Sequence, residues 1–98
     1  MPEITITDTD HRRAKDQILD VREDFEVTEG MIPKAIHIPM GELSNRLNEI
    51  DRARPVIVVC RSGNRSARAV DALTAAGFSA DTMGGGMGAW QHAGLPII

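Results

Sequence analysis

The sequence predicts an α/β domain in which a mostly parallel sheet has helices on both faces. Short apolar runs rich in β-branched residues alternate along the chain with polar or helix-periodic segments, the pattern of repeated strand and helix units. Connections of that kind are right-handed, and the unbroken apolar run at residues 56–59 is typical of a strand buried at the centre of such a sheet. Residues 1–98 suffice for one core, so we expect a single domain.

The first element is predicted to be a short strand from Ile4 to Thr7, where apolar residues alternate with Thr. Residues 8–16 have almost no apolar content, so we expect a surface turn or one polar helical turn there. The apolar run at residues 18–21 predicts the second strand. A brief helix is expected at residues 23–27, closed near Gly30.

The middle of the chain predicts a third strand and a helix. The strand covers residues 35–38 and is bounded by Pro33 and Pro39, because proline cannot donate to a ladder of hydrogen bonds. From Glu42 the apolar spacing changes to i, i+4, i+7, which is one face of a helix. The residues on that face are Leu43, Leu47 and Ile50.

The carboxyl-terminal half predicts two strands and two helices. The fourth strand is residues 56–59, and a loop leads from it to a helix at residues 66–76 with Gly77 as its left-handed cap. Residues 80–83 form the fifth strand. Three glycines then turn the chain into a last short helix around Trp90, which we expect to anchor the core.

Composition and charge narrow the class of partner. A hydrophobic share of 42% and a charged share of 26% are ordinary for a globular domain and indicate no membrane partner. The formal net charge of −3 argues against nucleic acid, since binding to a phosphate backbone needs clustered basic residues. Residues 60–68 nevertheless carry three Arg and no acid, which favours a small anionic substrate at that point.

Cysteine and histidine usage bears on compartment and cofactors. One cysteine excludes an internal disulfide and is typical of a reducing compartment. The chain starts without a basic region followed by an apolar run, so we expect no signal peptide and a cytoplasmic location. His11, His37 and His92 lack metal-ligand spacing with one another or with a second cysteine, so we expect no metal and no other cofactor.

Cys60 is the candidate nucleophile, because it directly follows the buried strand and precedes a loop and a helix. Unpaired backbone N–H groups collect at such a loop, and a helix amino-terminus with nearby cations lowers the pKa of a thiol. Arg61 and Arg65 supply the cations. Since ligands of parallel sheets lie outside the carboxyl ends of the strands, we predict an ionised thiolate that a substrate can reach.

The rest of the loop is predicted to bind the substrate. Arg61 and Arg65 are expected to contact an anion. Gly63 permits unusual backbone angles, while Asn or Ser can cap the following helix. The backbone N–H groups that form the binding element belong to Ser62, Gly63, Asn64 and Ser66.

Two further features are the charged residues at the end of the second strand and the glycine-rich turn after the fifth strand. Asp20 and Arg22 end the second strand and are predicted as supporting residues, with a structural ion pair of Arg22 to Glu23 or Glu29 favoured over substrate contact. The glycines at residues 84–86 lack the Gly-Lys-Ser/Thr ending of a nucleotide loop, so we expect a packing turn there.

Three separated motifs follow one another at residues 19–23 with 29–39, at residues 60–66, and at residues 85–90 with 94–96. In that order they resemble the amino-terminal signature, the active-site loop and the carboxyl-terminal signature of single-domain rhodaneses. The loop reads Cys-Arg-Ser-Gly-Asn-Arg-Ser. The resemblance implies a three-layer α/β/α rhodanese-like fold with a five-stranded parallel sheet of order 1-5-4-2-3.

The chain departs from the rhodanese pattern at two positions. Met31 stands where the family usually has His, and Lys34 stands where it usually has Gly. Neither position carries the chemistry, so the departures bear on partner contacts rather than on catalysis. The family's first helix is also expected to be shortened or missing, since only a polar segment separates the first two strands.

The resemblance implies a thiosulfate sulfurtransferase in which Cys60 carries sulfane sulfur as a persulfide. A small anionic donor such as thiosulfate would load the cysteine, and cyanide or a thiol would accept the sulfur, with ping-pong kinetics. Arg61 and Arg65 would attract the donor and offset the charge that develops on the sulfite leaving group.

Other functions use the same cysteine. A persulfide carrier would hand its sulfur to a sulfur-relay partner protein in cofactor or tRNA thiolation, and the sequence does not separate this role from that of a free-standing enzyme. A phosphatase or arsenate reductase of the same fold needs Cys, five residues and then Arg. In this chain Ser66 occupies that Arg position, and the nearest arginine, Arg65, lies one residue before it. A non-catalytic binding domain is disfavoured because the cysteine is present.

Overall fold

The computed structural model describes residues 3–98 and contains one five-stranded sheet with every neighbouring pair of strands parallel. Its order is β1-β5-β4-β2-β3, so the expected α/β fold and strand order are confirmed. The strands are Glu3–Ile4 (β1), Gln17–Asp20 (β2), Ile36–His37 (β3), Val56–Val59 (β4) and Ala80–Met83 (β5).

Three α-helices and two 3₁₀-helices connect the strands, and a fourth α-helix follows the last strand. The α-helices are Ile6–Arg12 (α1), Asp24–Val27 (α2), Asn64–Ala75 (α3) and Gly86–His92 (α4), and the 3₁₀-helices are Met40–Asn45 and Leu47–Glu49. The longest of these helices is α3, with 12 residues, so none within residues 3–98 could cross a membrane.

The central strand β4 divides the core into two layers. All four of its residues are buried, which confirms the prediction from the apolar run. Val56 and Val58 pack with α3 on one face, while Ile57 and Val59 pack with α4 on the other. Because side chains alternate along a strand, Cys60 points to the α3 side and belongs to that cluster.

The helices of the carboxyl-terminal half are as the sequence predicts, with small shifts in their bounds. Helix α3 starts two residues before the predicted Ser66, and Gly77 follows it with a φ of 93°, as expected of the cap. Trp90 is fully buried, and its indole N–H donates to the carbonyl of Pro96 at 2.8 Å. The predicted role of Trp90 as a core anchor is confirmed.

The predicted first strand is wrong beyond Ile4. The hydroxyl of Thr5 accepts a hydrogen bond from the backbone N–H of Asp8 at 3.0 Å, which caps helix α1 and ends β1. The polar segment that follows contains both expected conformations, since it is helical as far as Arg12 and residues 13–15 form a turn. Arg12 bonds to Asp16 and Arg13 to Asp10 along its surface. The family's first helix is therefore short but present.

The helix expected from Glu42 is not an α-helix. The segment forms two 3₁₀-helices that break at Arg46, whose φ is −127°. Gly41, Ser44 and Asn45 are weak helix formers, and the backbone there makes bonds of the i to i+3 type. Leu43 and Ile50 are nevertheless buried as predicted.

The third strand is shorter than the predicted residues 35–38, and an unusual backbone conformation precedes it. Lys34 is exposed and has a φ of 69°, in the left-handed region that disfavours a side chain. We expect Lys34→Gly to stabilise the fold by about 1 kcal/mol in urea unfolding. Lys15→Gly, in an exposed turn without positive φ, is the control and should destabilise it. A loss of stability in Lys34→Gly would contradict the assignment of strain.

Candidate active site

The sulfur of Cys60 lies in a ring of hydrogen-bond donors. The backbone N–H of Gly63 donates to Sγ at 3.0 Å and that of Ser66 at 3.4 Å, while the thiol of Cys60 donates to the Ser66 hydroxyl oxygen at 3.5 Å. The side chain is only 1% exposed, yet it faces polar groups rather than the apolar core alone. Cys60 is therefore buried in a way that can hold negative charge on sulfur.

The turn after Cys60 depends on one glycine. Gly63 has a φ of 109° and is the residue from which α3 begins, so the predicted cap by Asn or Ser is wrong. A Cβ at Gly63 would meet no atom within 4 Å, so the requirement is for the backbone angle and not for space. This turn directs the first amides of α3 back toward the sulfur.

Ser66 is fixed from both sides. Its hydroxyl donates to the carbonyl of Gly63 at 3.1 Å and lies 2.6 Å from the hydroxyl of Thr82 on β5. Ser66 and Thr82 are both buried. Thr82 was not predicted as a site residue, because its only signal in the sequence is that it is a polar residue inside a buried strand.

The environment of the thiol changes its pKa in two opposing ways. Burial raises the pKa of Cys60, whereas the Ser66 hydroxyl and the backbone N–H groups of Ser66, Gly63 and Ser62 lower it, and the net result is a lowered pKa. A lowered pKa increases the thiolate fraction at neutral pH. The hydrogen bonds are the main groups that lower this pKa, and the charge of Arg65 also interacts with Cys60.

The pH dependence of alkylation tests this arrangement. The rate of Cys60 alkylation by iodoacetamide should rise with pH around a midpoint below that of an ordinary thiol, because the folded protein favours the thiolate. Ser66→Ala removes one stabilising group and should move the midpoint to higher pH. The exposed Ser44→Ala is the control. An unchanged midpoint in Ser66→Ala would show that the hydroxyl does not stabilise the thiolate.

Helix α4 holds the other side of the same loop. The backbone N–H of Met87 donates to the carbonyl of Cys60 at 2.7 Å, and that of Gly88 to the carbonyl of Arg61 at 3.1 Å. A Cβ at Gly86 would lie 2.3 Å from the Arg61 carbonyl oxygen. The glycine-rich turn packs as predicted. It also places the first N–H groups of α4 where they donate to the carbonyls of the cysteine loop.

The two loop arginines have different surroundings. Arg65 is bonded to Glu26 of α2 through both carboxylate oxygens, at 2.6 and 2.8 Å, and this contact raises the pKa of Arg65. Arg61 is exposed, and no ion pair or side-chain hydrogen bond to it is present among residues 3–98. Ser62 and Asn64 are also exposed. Glu26 was not predicted as a site residue from the sequence.

Asp20 and Arg22 form a buried ion pair with each other. Arg22 Nη2 lies 2.8 Å from Asp20 Oδ2, so the predicted ion pair is confirmed, but the predicted partner, Glu23 or Glu29, is wrong. The partner is Asp20 because a charge buried this deeply needs a partner that is buried with it. Arg22 also donates to the carbonyl of Gly30 at 2.7 Å and so anchors the segment that carries α2.

Two surface clefts lie away from the cysteine loop. They have volumes of about 270 and 290 Å³, one lined by Arg13, Lys34 and Arg54 and the other by Met40, Leu43 and Leu47. Within residues 3–98 no three His, Cys, Asp or Glu side chains form a group that could hold a metal ion.

The fold and the loop together define a parallel α/β domain that holds a low-pKa cysteine in a ring of amides at the carboxyl edge of its sheet. This is a class of site suited to thiolate chemistry on small molecules. Residues 6–93 match the family described as the rhodanese-like domain, and the chain belongs to that family.

Similar proteins agree with this assignment. Over 74 residues the chain is 43% identical to YtwF of Bacillus subtilis, provisionally named a sulfurtransferase, with 76% of this chain and 72% of YtwF covered. Over 82 residues it is 39% identical to a sulfurtransferase of Allochromatium vinosum, with 83% and 77% covered. These relatives support a transferase that acts in sulfur transfer.

Solved structures agree with the fold. A rhodanese-related protein from Thermoplasma volcanium matches with a TM-score of 0.95 at 34% identity, covering 100% of this chain and 98% of its own. A rhodanese-like domain protein from Staphylococcus aureus matches with a TM-score of 0.90 at 38% identity, covering 100% and 99%.

Proposed function

We propose that the protein moves sulfane sulfur from thiosulfate or a related donor to cyanide or a thiol, through a persulfide on Cys60. The observation that carries this proposal is the ring of donors around the sulfur, with the Gly63 N–H at 3.0 Å from Sγ. A persulfide is anionic at its outer sulfur, and fixed amides stabilise such charge as they would an oxyanion. Residues 1–98 would act as a single domain, in the cytoplasm, where a lone thiol stays reduced.

The reaction divides into two sulfur exchanges. The Cys60 thiolate attacks the outer sulfur of thiosulfate, the sulfur–sulfur bond of the donor breaks, and sulfite leaves with the bonding pair. The acceptor then attacks the outer sulfur of the persulfide, and the bonding pair returns to Sγ as a thiolate. No oxidant, reductant or metal enters either step. Ping-pong kinetics follow because the first product leaves before the acceptor reacts.

The loop residues have separate parts in this scheme. The N–H groups of Ser62, Gly63, Asn64 and Ser66 form the binding element for the anionic sulfur. Arg61 and Arg65 attract the negatively charged donor to the site. Asp20 and Arg22 support the loop through the α2 segment rather than by contact with the substrate, because their side chains are occupied by one another.

A second role, as a persulfide carrier, uses the same chemistry with a protein acceptor. It is favoured by 36% identity over 81 residues to YrkF of Bacillus subtilis, provisionally named a sulfur carrier protein, which this chain covers over 44% of its length. Weak turnover with thiosulfate together with rapid loading by a cysteine desulfurase would identify the carrier. A phosphatase remains the weakest candidate, because Ser66 is fixed between Gly63 and Thr82 where a phosphate-binding arginine would be required.

Intact-mass measurement tests the proposal directly. Freshly purified protein is measured before and after incubation with thiosulfate, and again after cyanide, with thiocyanate formation followed in parallel. We expect a gain of one sulfur atom that maps to Cys60 and is removed by cyanide. Hydrolysis of an aryl phosphate without any sulfur gain from thiosulfate or from a persulfide would overturn the proposal.

A further inference from the structure

The strongest contact on the rim of the cysteine loop is between two side chains far apart in sequence. Glu26 and Arg65 are separated by 39 positions and meet in a bidentate ion pair at 2.6 and 2.8 Å. Glu26 Oε1 also accepts the backbone N–H of Glu23 at 2.9 Å, which closes the start of α2. Both carboxylate oxygens are therefore engaged, and the Arg65 guanidinium has a fixed partner.

The position of Glu26 is built into the fold. Buried Arg22 donates to the carbonyl of Gly30 at 2.7 Å and contacts the carbonyl of Glu26 at 3.4 Å. Arg22 is itself held by Asp20 at the end of β2. This chain of contacts anchors the backbone of the α2 segment and so places the Glu26 carboxylate within reach of Arg65.

The ion pair lowers the net positive charge that the cysteine loop presents to an anionic sulfur donor. The sequence places two guanidinium groups in the loop, but the carboxylate of Glu26 offsets the charge of Arg65. The pKa of Glu26 is lowered to about 2, chiefly by its hydrogen bond with Arg65, so this carboxylate is ionised at any working pH. Arg61 is then the one loop arginine without an ion pair among residues 3–98.

Resting on the function proposed above, we propose that Glu26 sets donor selectivity through Arg65, favouring monoanionic persulfides of small thiols over dianionic thiosulfate. With a persulfide donor, the Cys60 thiolate takes the outer sulfur and a thiolate leaves with the bonding pair, so atoms and charge balance as they do with thiosulfate. Approach of a dianion to a thiolate meets more repulsion, and it needs more uncompensated positive charge than this loop offers.

Glu26→Gln is the variant that tests this role. The amide keeps the shape of the side chain and one acceptor for Arg65, but it removes the negative charge. Since Coulomb energy scales with donor charge, the gain for a dianion should be about the square of the gain for a monoanion. We expect kcat/KM to rise about tenfold with thiosulfate and about threefold with 2-hydroxyethyl persulfide, which carries a single negative charge, measured with cyanide as the common acceptor.

The ratio of the two kcat/KM values is the decisive measurement. A change in Cys60 reactivity or in loop structure would affect both donors and cancel in that ratio. The control is Glu29→Gln, which removes an exposed carboxylate from the same segment and should leave the ratio unchanged.

The outcomes separate the selectivity from the function. If intact mass shows sulfur loading of Cys60 by both donors, but Glu26→Gln leaves the ratio as in the wild type, the role of Glu26 is wrong and sulfur transfer stands. Should Glu26→Gln fail to fold, Arg65→Gln alone decides: a larger fall for thiosulfate than for the persulfide supports the inference, and equal falls overturn it. If neither donor loads Cys60, the proposed function and this inference both fail.

Discussion

Replacement of Cys60 by Ala is expected to lower sulfur transfer from thiosulfate or a persulfide by at least about a thousandfold. The covalent intermediate requires the Sγ atom, and Cys60 is the only cysteine in the chain, so no neighbouring thiol can replace it. Alanine fits the buried position without introducing a polar group, so the fold should persist. Thiocyanate formation and intact mass after donor treatment measure the loss.

The control for this variant is Ser79→Ala. Ser79 is exposed and precedes β5 at the amino-terminal edge of the sheet, opposite Cys60. The Ser79→Ala protein should therefore transfer sulfur as fast as the wild type. Urea unfolding of Cys60→Ala should give a transition like that of the parent. Full sulfur transfer by a folded Cys60→Ala protein would refute the persulfide mechanism.

Gly86→Ala is expected to cost about 3 kcal/mol of unfolding free energy and most of the sulfur transfer. Its φ of 62° disfavours a side chain, and the added Cβ would lie 2.3 Å from the carbonyl oxygen of Arg61 and 2.7 Å from that of Cys60. Both neighbours are backbone atoms of the cysteine loop, so the loop itself must move. The amides facing Sγ would then lose their positions.

Gly41→Ala is the matched control for Gly86→Ala. A Cβ at Gly41 meets nothing within 4 Å, so the same substitution should change the unfolding free energy by less than about 1 kcal/mol and leave the activity unchanged. Urea unfolding and donor turnover are measured for both variants. Gly86→Ala with the stability and activity of the Gly41 variant would show that α4 does not hold the loop in place.

The parts of the fold that local pattern determines were predictable from sequence. The fully apolar run Val56–Val59 could only be a buried strand, and the helix after it follows from the spacing of Ala69, Val70 and Leu73. The 3₁₀-helices were not predictable from spacing, because two short 3₁₀-helices with a break at Arg46 bury Leu43 and Ile50 just as one α-helix would. The start of helix α1 at Ile6 was not predicted, because Thr5 and Ile6 belong to a strand-like alternation, and only the hydrogen bond from the Asp8 N–H to the Thr5 hydroxyl shows that a helix begins there.

The site divides in the same way. The loop from Cys60 to Ser66 is contiguous, so its residues and the donors among them could be predicted together. Glu26 lies 39 positions from its partner Arg65, and Thr82 lies 16 positions from Ser66, so only the tertiary structure pairs them. The hydrogen bonds from α4 to the loop carbonyls likewise depend on tertiary structure, because the sheet brings the start of α4 next to the loop that precedes α3.

The depth of the cysteine decides which atom of the proposed persulfide can be attacked. Sγ is almost fully covered, whereas a second sulfur bonded to it would extend about 2 Å further out. An acceptor therefore meets the outer atom first, because that atom lies between the acceptor and Sγ. Attack at the inner atom would release hydrosulfide and leave the acceptor joined to the protein as a mixed disulfide. The burial of Cys60 thus directs the acceptor to the outer sulfur, and the protein is not trapped as a mixed disulfide with its acceptor.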